Sequence, residues 1–144
     1  MPRITFSENG SSSFQRLLGH NQKVMEKWND LGEALEAEGF LSSNLKEQVR
    51  RTLAQENGCE YCKAKGLPEP HLFDEKTSVA VGFAQAFLSY RGSMPLTVFN
   101  VLHNTFDNEE ISELCAFVCF TTAAQYFGAI TGLQPGADKY ILSD

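Results

Sequence analysis

Three observations predict an all-α fold for this chain. Apolar residues recur at helical spacing through most of its length, Ser, Asn and Asp stand just before the periodic runs, and no alternating strand pattern with hairpin turn residues is found. About six helices account for the pattern. They form one compact domain over residues 1–144, with 1–10 an irregular N-terminal segment. A chain of 144 residues buries about two thirds of the surface its unfolded form exposes, so it needs neither a metal nor a disulfide merely to fold.

The elements follow in order. Ser11, Ser12 and Ser13 offer capping hydroxyls to a long first helix whose stripe includes Leu17, Leu18, Val24, Met25, Trp28, Leu31 and Leu35, with Gly19 as an early interruption and Gly39 as its end. Met25 and Trp28 on that stripe read as core or subunit-interface residues. Ser42, Ser43 and Asn44 cap a second helix with Leu45, Val49, Leu53 and Ala54 on its buried side, closed by Asn57-Gly58. A short helix begins at Cys59, and Gly66, Pro68 and Pro70 end it, leaving residues 67–71 as a stiff exposed turn. Asp74 caps a core helix carrying Val79, Ala80, Phe83, Ala84 and Phe87. Pro95 opens another that runs to about Asn104, with His103 near its end as a dipole partner or surface residue. Asp107 to Glu110 form an acidic start to the most apolar segment, Ile111 to about Leu133, and the tail from Ala137 to Asp144 reads as short and loosely held.

Composition narrows the function classes. The hydrophobic share is 42%, the charged share 21%, and 11 phenylalanines supply bulky core units, as in a soluble globular protein. A formal net charge of -6, with Arg50-Arg51 as the one basic pair in a helix, argues against nucleic acid or an anionic membrane as partner. The last helix is interrupted by Glu113, Gln125 and Gly128, so it is read as a buried central helix with a subunit interface and not as a membrane span. Met1 to Ser7 shows no secretory signal, which places the expectation in the cytoplasm. Phosphate-binding glycine loops, Gly-x-Ser-x-Gly elbows and His-Glu-x-x-His motifs are absent.

Chemistry concentrates between Glu47 and Gly66. Cys59 and Cys62 stand at Cys-x-x-Cys spacing, close enough to form a small disulfide loop. In a reducing compartment that spacing points to catalysis or metal binding rather than to a structural bridge. The unpaired N–H groups at the start of the short helix favour a negative charge on Cys59, which makes it the more acidic thiol on this argument, facing solvent. Glu47 lies off the centre of its helix's apolar stripe, which periodicity alone reads as a solvated carboxylate. Cys115 and Cys119, four positions apart on the last helix, would complete a four-thiolate zinc site with Cys59 and Cys62, although buried cysteines also serve as small apolar packing residues.

With this helix order and the segment Asn57-Gly-Cys59-Glu-Tyr-Cys62, the chain resembles the alkylhydroperoxidase D-like group of the carboxymuconolactone decarboxylase family, in its small peroxidase-related branch. The resemblance runs from Phe14 to Leu133 and includes Leu45-Lys-Glu-Gln-Val49, Phe83-Ala-Gln-Ala-Phe87 and Asp107-Asn-Glu-Glu-Ile111. The family's pattern is a glutamate, a cysteine twelve positions on, x-x-Cys, three residues and a histidine, and it is matched here at Glu47, Cys59 and Cys62. The histidine position holds Gly66, with His71, Lys63 and Lys65 as nearby substitutes.

The resemblance implies that Cys62 is the attacking thiolate, Cys59 the resolving cysteine and Glu47 a proton carrier through water. It further implies a hydroperoxide or small disulfide as substrate, an external dithiol or reductase as partner, no cofactor, and a homo-oligomer, trimeric or hexameric. The family's namesake reaction, a non-redox lactone decarboxylation, is the competing expectation; a dithiol would be surplus to it.

Overall fold

The computed structural model describes residues 1–142, and these are all-helical apart from turns and connections. Eight α-helices and one 3-10 turn occur among the described residues: α1 Ser13–Leu18, α2 Gln22–Glu36, α3 Ser43–Ala54, α4 Glu60–Lys63, the 3-10 turn Pro70–Leu72, α5 Glu75–Tyr90, α6 Leu96–His103, α7 Asn108–Thr131 and α8 Asp138–Leu142. Two departures from the sequence reading raise the helix number. The first long helix is split, because the chain turns through Gly19 and restarts at Asn21, whose side chain accepts a hydrogen bond from the Val24 N–H at 3.1 Å. The tail is not loose over the described residues. Ala137 and Ile141 are buried, and the Asp138 carboxylate accepts hydrogen bonds from the Ser13 N–H at 2.8 Å and the Ser13 hydroxyl at 2.6 Å. Ser143 and Asp144, the end of that segment, lie outside the described residues.

The capping residues work as the sequence indicates. Ser42 accepts from the Leu45 N–H at 3.1 Å and Asp74 from the Thr77 N–H at 2.8 Å. Asp107 and Glu110 form a reciprocal capping box at the start of α7, each side chain accepting from the other's backbone N–H. Pro95 precedes α6 as its cap instead of being its first residue. The N-terminal segment is irregular as expected, yet pinned: the Arg3 N–H donates to the Thr131 carbonyl at 2.7 Å and its guanidinium to that of Ile130 at 2.8 Å.

Two apolar cores result among the described residues. The larger brings Val49 and Leu53 of α3 against Ala80 and Ala84 of α5, Leu102 of α6, and Leu114 and Val118 of α7. A smaller one collects Leu17, Ala54, Leu133 and Ala137 around Cys59, Tyr61 and Cys62. Helix α7 serves both, packing on α2, α3, α4 and α6, although by length and apolar composition alone it would also reach across a membrane. Its outer face leaves Cys119, Tyr126 and Ile130 exposed. Between α3 and α7 the Lys46 ammonium, 1% exposed, donates to the Ala37 carbonyl at 2.7 Å and faces Glu113 at 3.4 Å. Removing either partner would strand a buried charge.

Asp138 supplies the polar part of the docking of α8, beside the buried Ile141. Replacing it (Asp138→Ala) removes acceptors for Ser13 and for Tyr61, and we expect a loss on the order of 2 kcal/mol in urea denaturation. An unchanged midpoint would show that the Asp138 hydrogen bonds contribute nothing to the fold.

Candidate redox site

Helix α3 ends at Ala54, the chain turns, and Cys59 becomes the N-cap of α4 with its sulfur accepting from the Cys62 N–H at 3.1 Å. One turn of helix then brings Cys62 back to it, and the two sulfurs are joined in a disulfide. Both residues are buried, but unequally placed. Cys59 is 1% exposed and its sulfur lies on α7 at Gly128, where an added Cβ would meet it at 2.5 Å. Cys62 is 8% exposed and lines a cavity of about 280 Å³, whose lining does not include Cys59. This corrects the placement of Cys59 on the solvent side. It does cap the short helix, but that position turns its sulfur inward between α4 and α7.

One wall of the cavity is aromatic. Trp28 of α2 lies 5.3 Å from Phe120 and 6.2 Å from Phe127 between ring centroids, and Phe14 packs edge-on to Phe127 at 5.3 Å. Arg50, Tyr61, Lys65 and Gln125 bring polar groups to the same space, with Glu33 and Glu36 on α2. Gln125, buried on α7, accepts from the Asn57 amide at 2.8 Å and donates to the Arg50 carbonyl at 3.2 Å. Those two bonds hold the end of α3 and the residue two before Cys59 on α7.

Glu47 sits on α3 with its side chain 41% exposed, and it is not part of the cavity lining. Arg50 grips it with two hydrogen bonds of 2.9 and 2.7 Å, and Arg51 adds a third at 3.0 Å. Burial pushes its carboxyl up, but the two guanidinium groups outweigh that and hold it below its ordinary value. Glu47 reaches Cys62 only through Arg50, whose other Nη donates to the Cys62 carbonyl at 3.1 Å. The basic pair of the sequence is therefore part of the site: Arg50 lines the cavity and Arg51 ties Glu47 to Glu69 at 2.6 Å and to the Leu67 carbonyl at 3.1 Å.

Of the substitutes for the histidine, one is brought to the cavity. His71 is exposed in the 3-10 turn, Lys63 is exposed on α4, and neither lines the cavity; Lys65 does. Lys65 stands with its ammonium 4.7 Å from the centre of the Tyr61 ring. Crowding around that ammonium, then the Arg50 charge, lowers its pKa, although the residue keeps an exposed flank. Gly66 has a φ of +138°, and the Arg51 guanidinium carbon would lie 3.1 Å from a Cβ placed there. Tyr61 donates to Asp138 at 2.8 Å. Burial and then that hydrogen bond push its phenol from 10.0 to about 12.

The four-thiolate arrangement is not formed. Cys59 and Cys62 are bonded to each other, Cys115 and Cys119 are free on α7, and no group of three or more His, Cys, Asp or Glu side chains able to hold a metal ion occurs among the described residues. Comparison with protein-family models and with curated proteins finds no match for the chain. Sequence reasoning missed Arg50, Tyr61, Gln125 and the aromatic wall as site residues. Their spacing gives no signal, since Trp28 and Phe120 meet only once α2 crosses α7. Gly128 carried a signal, a glycine inside an otherwise strongly apolar helix, which marks a close approach.

Two outcomes follow from this geometry. Gly128→Ala places a methyl against the Cys59 sulfur and is expected to cost on the order of 1–3 kcal/mol in denaturation of the oxidised protein; wild-type stability would mean that α4 stands off α7 in solution. For Tyr61, a phenol raised in the folded state favours folding fully below its unfolded value of 10.0, and this contribution disappears as pH climbs toward about 12. Stability measured across that window should fall less steeply in Tyr61→Phe than in the wild type, and equal slopes would contradict the shift.

Proposed function

We propose that this chain is a thiol-dependent oxidoreductase of the alkylhydroperoxidase D-like kind, in which Cys62 attacks a hydroperoxide or a small disulfide and Cys59 resolves the product. The observation that carries the reading is the asymmetry of the Cys59–Cys62 disulfide: Cys62 opens to a cavity, while Cys59 is enclosed behind it against Gly128. A nucleophile must meet substrate, and a resolving thiol need only meet the nucleophile.

The cation environment of Cys62 suits a thiolate. Arg50 is fixed at its carbonyl and Lys65 shares its cavity, and positive groups nearby favour the ionised sulfur. Cys62 sulfur takes the terminal oxygen of the hydroperoxide, the O–O bond breaks, and an alcohol leaves once its oxygen is protonated, with the cysteine now a sulfenic acid. The Cys59 thiol attacks that sulfur, the S–S bond forms, and water departs. A dithiol, as free reductant or on a reductase, then exchanges with the disulfide and leaves oxidised. Glu47 takes a different part from a proton carrier at the sulfur: its carboxylate fixes Arg50, and Arg50 fixes the Cys62 end of α4. The aromatic wall favours a substrate with an apolar or aromatic body. A homo-oligomer, trimeric or hexameric, belongs to the same reading, and the exposed Tyr126 and Ile130 on α7 are compatible with it.

The test is an oxidation of the reduced protein by an alkyl hydroperoxide, followed by mass spectrometry of trapped thiols. Wild type is expected to form the Cys59–Cys62 disulfide, Cys59→Ser to accumulate a Cys62 sulfenic acid that a cyclic dione traps, and Cys62→Ser to be inert. Alkylation of Cys62 against pH should titrate below the roughly 8.5 of a free thiol. Turnover that survives in Cys62→Ser would sink the assignment.

A further inference from the structure

Any reaction of Cys62 with a hydroperoxide needs a proton for the departing oxygen, and the cavity limits where it comes from. Glu47 lies outside the lining, held as a carboxylate by Arg50 and Arg51. Arg50 keeps its proton in proteins. The Tyr61 hydroxyl is engaged with Asp138, and its proton is bound more tightly than in free tyrosine. His71 is outside the cavity. Lys65 remains. It follows Cys62 by three residues, its N–H donates to the Cys62 carbonyl at 3.3 Å, and this continued turn puts both side chains on the face that lines the cavity.

We propose that Lys65 is the proton donor to the alkoxide that leaves when Cys62 attacks an alkyl hydroperoxide, and that it recovers a proton when a dithiol reopens the disulfide; this rests on the redox reading of Cys62. The balance closes. A Cys62 thiolate, a Cys59 thiol and a Lys65 ammonium meet one hydroperoxide; the S–O bond forms as the O–O bond breaks, and the alkoxide takes the ammonium proton to become an alcohol. Cys59 then displaces the sulfenic oxygen, which departs as water with the Cys59 proton, leaving the disulfide and a neutral Lys65 amine. The reducing dithiol brings two protons: one returns to Cys59 and the other to Lys65, while Cys62 is released as the thiolate.

The groups around Lys65 set its proton affinity from every side. Arg50 on α3 opposes its charge, whereas Glu36 on α2, Glu47 on α3 and Asp138 on α8 support it, and Tyr61 on α4 lies beneath it. Partial loss of hydration, then Arg50, outweighs those carboxylates, so the ammonium is more acidic than that of a free lysine even though the residue stays exposed on one flank. A donor of lowered pKa transfers its proton more readily near neutral pH.

The experiment compares single-turnover oxidation of the reduced wild type and of Lys65→Arg by two reagents, cumene hydroperoxide and an aromatic disulfide whose acidic thiol leaves without protonation. Arginine keeps the cation that favours the Cys62 thiolate but holds its proton too tightly to donate it. The expected result is a roughly hundredfold slower reaction of Lys65→Arg with the hydroperoxide. The aromatic disulfide should react within about threefold of wild type, because its leaving group needs no acid. The wild-type hydroperoxide rate should decline at alkaline pH as the ammonium is lost, and that decline should be missing in Lys65→Arg. Equal hydroperoxide rates in the two proteins would overturn the proposal. So would an equal slowing toward both reagents, which would leave Lys65 a structural or purely electrostatic group and the redox reading intact. A wild type inert to both reagents would remove the redox reading itself, and the role of Lys65 with it.

Discussion

The contact on which the rest of the site depends is the one between the Cys59 sulfur and the backbone of α7 at Gly128. Only a residue without a Cβ lets α4 come this close, since a methyl there would sit 2.5 Å from the sulfur and 3.6 Å from that of Cys62. Once α4 is seated, Cys59 has no route to solvent, and the single helical turn leaves Cys62 facing the space between α2 and α7. Directionality in the thiol pair is thus a packing consequence. Asn57 and Gln125 reinforce it from the other end of the turn, using side-chain amides that would be costly to bury unpaired.

A second constraint is electrostatic, and it redistributes roles among residues the sequence had grouped differently. Four acceptors converge on the Arg50 and Arg51 guanidinium groups: the Glu47 carboxylate, the Glu69 carboxylate and the carbonyls of Cys62 and Leu67. This network fastens α3 to the connection after α4, so the short helix is held at both ends. Within it Glu47 accepts three hydrogen bonds and anchors Arg50. Because Arg50 touches both Glu47 and the Cys62 carbonyl, displacement of the carboxylate would be felt at the sulfur through the backbone.

Much of the fold was legible because it is local. Caps at Ser42, Asp74 and Asp107, the apolar stripes of α3 and α5, and the irregular start all follow from residues within one or two turns of each other. What the sequence could not yield depends on distant segments meeting. The tail orders because Asp138 finds Ser13 and Tyr61, more than seventy residues away in each case, and no periodicity in five residues announces that. Trp28 reads by its stripe as a core or subunit-interface residue, and what its stripe does not announce is that it lines a cavity where α2 meets α7 at Phe120. The cysteine spacing was legible; which sulfur faces the cavity was not, because that is decided by Gly128 on another helix.

Gly66 shows why the histidine of the resembling pattern is not merely missing from this chain. Its φ of +138° lies where side chains with a Cβ are strained, so a histidine would first have to rotate the backbone. Even then its Cβ would press on the Arg51 guanidinium, 3.1 Å away, and Arg51 could yield only by leaving Glu47, Glu69 or the Leu67 carbonyl. Restoring that side chain would therefore unfasten the network that orients α4. The space beside position 66 is filled here by the Arg51 guanidinium. In the proposed reaction the proton at Cys62 comes instead from the cavity side of α4, where Lys65 lines the same space.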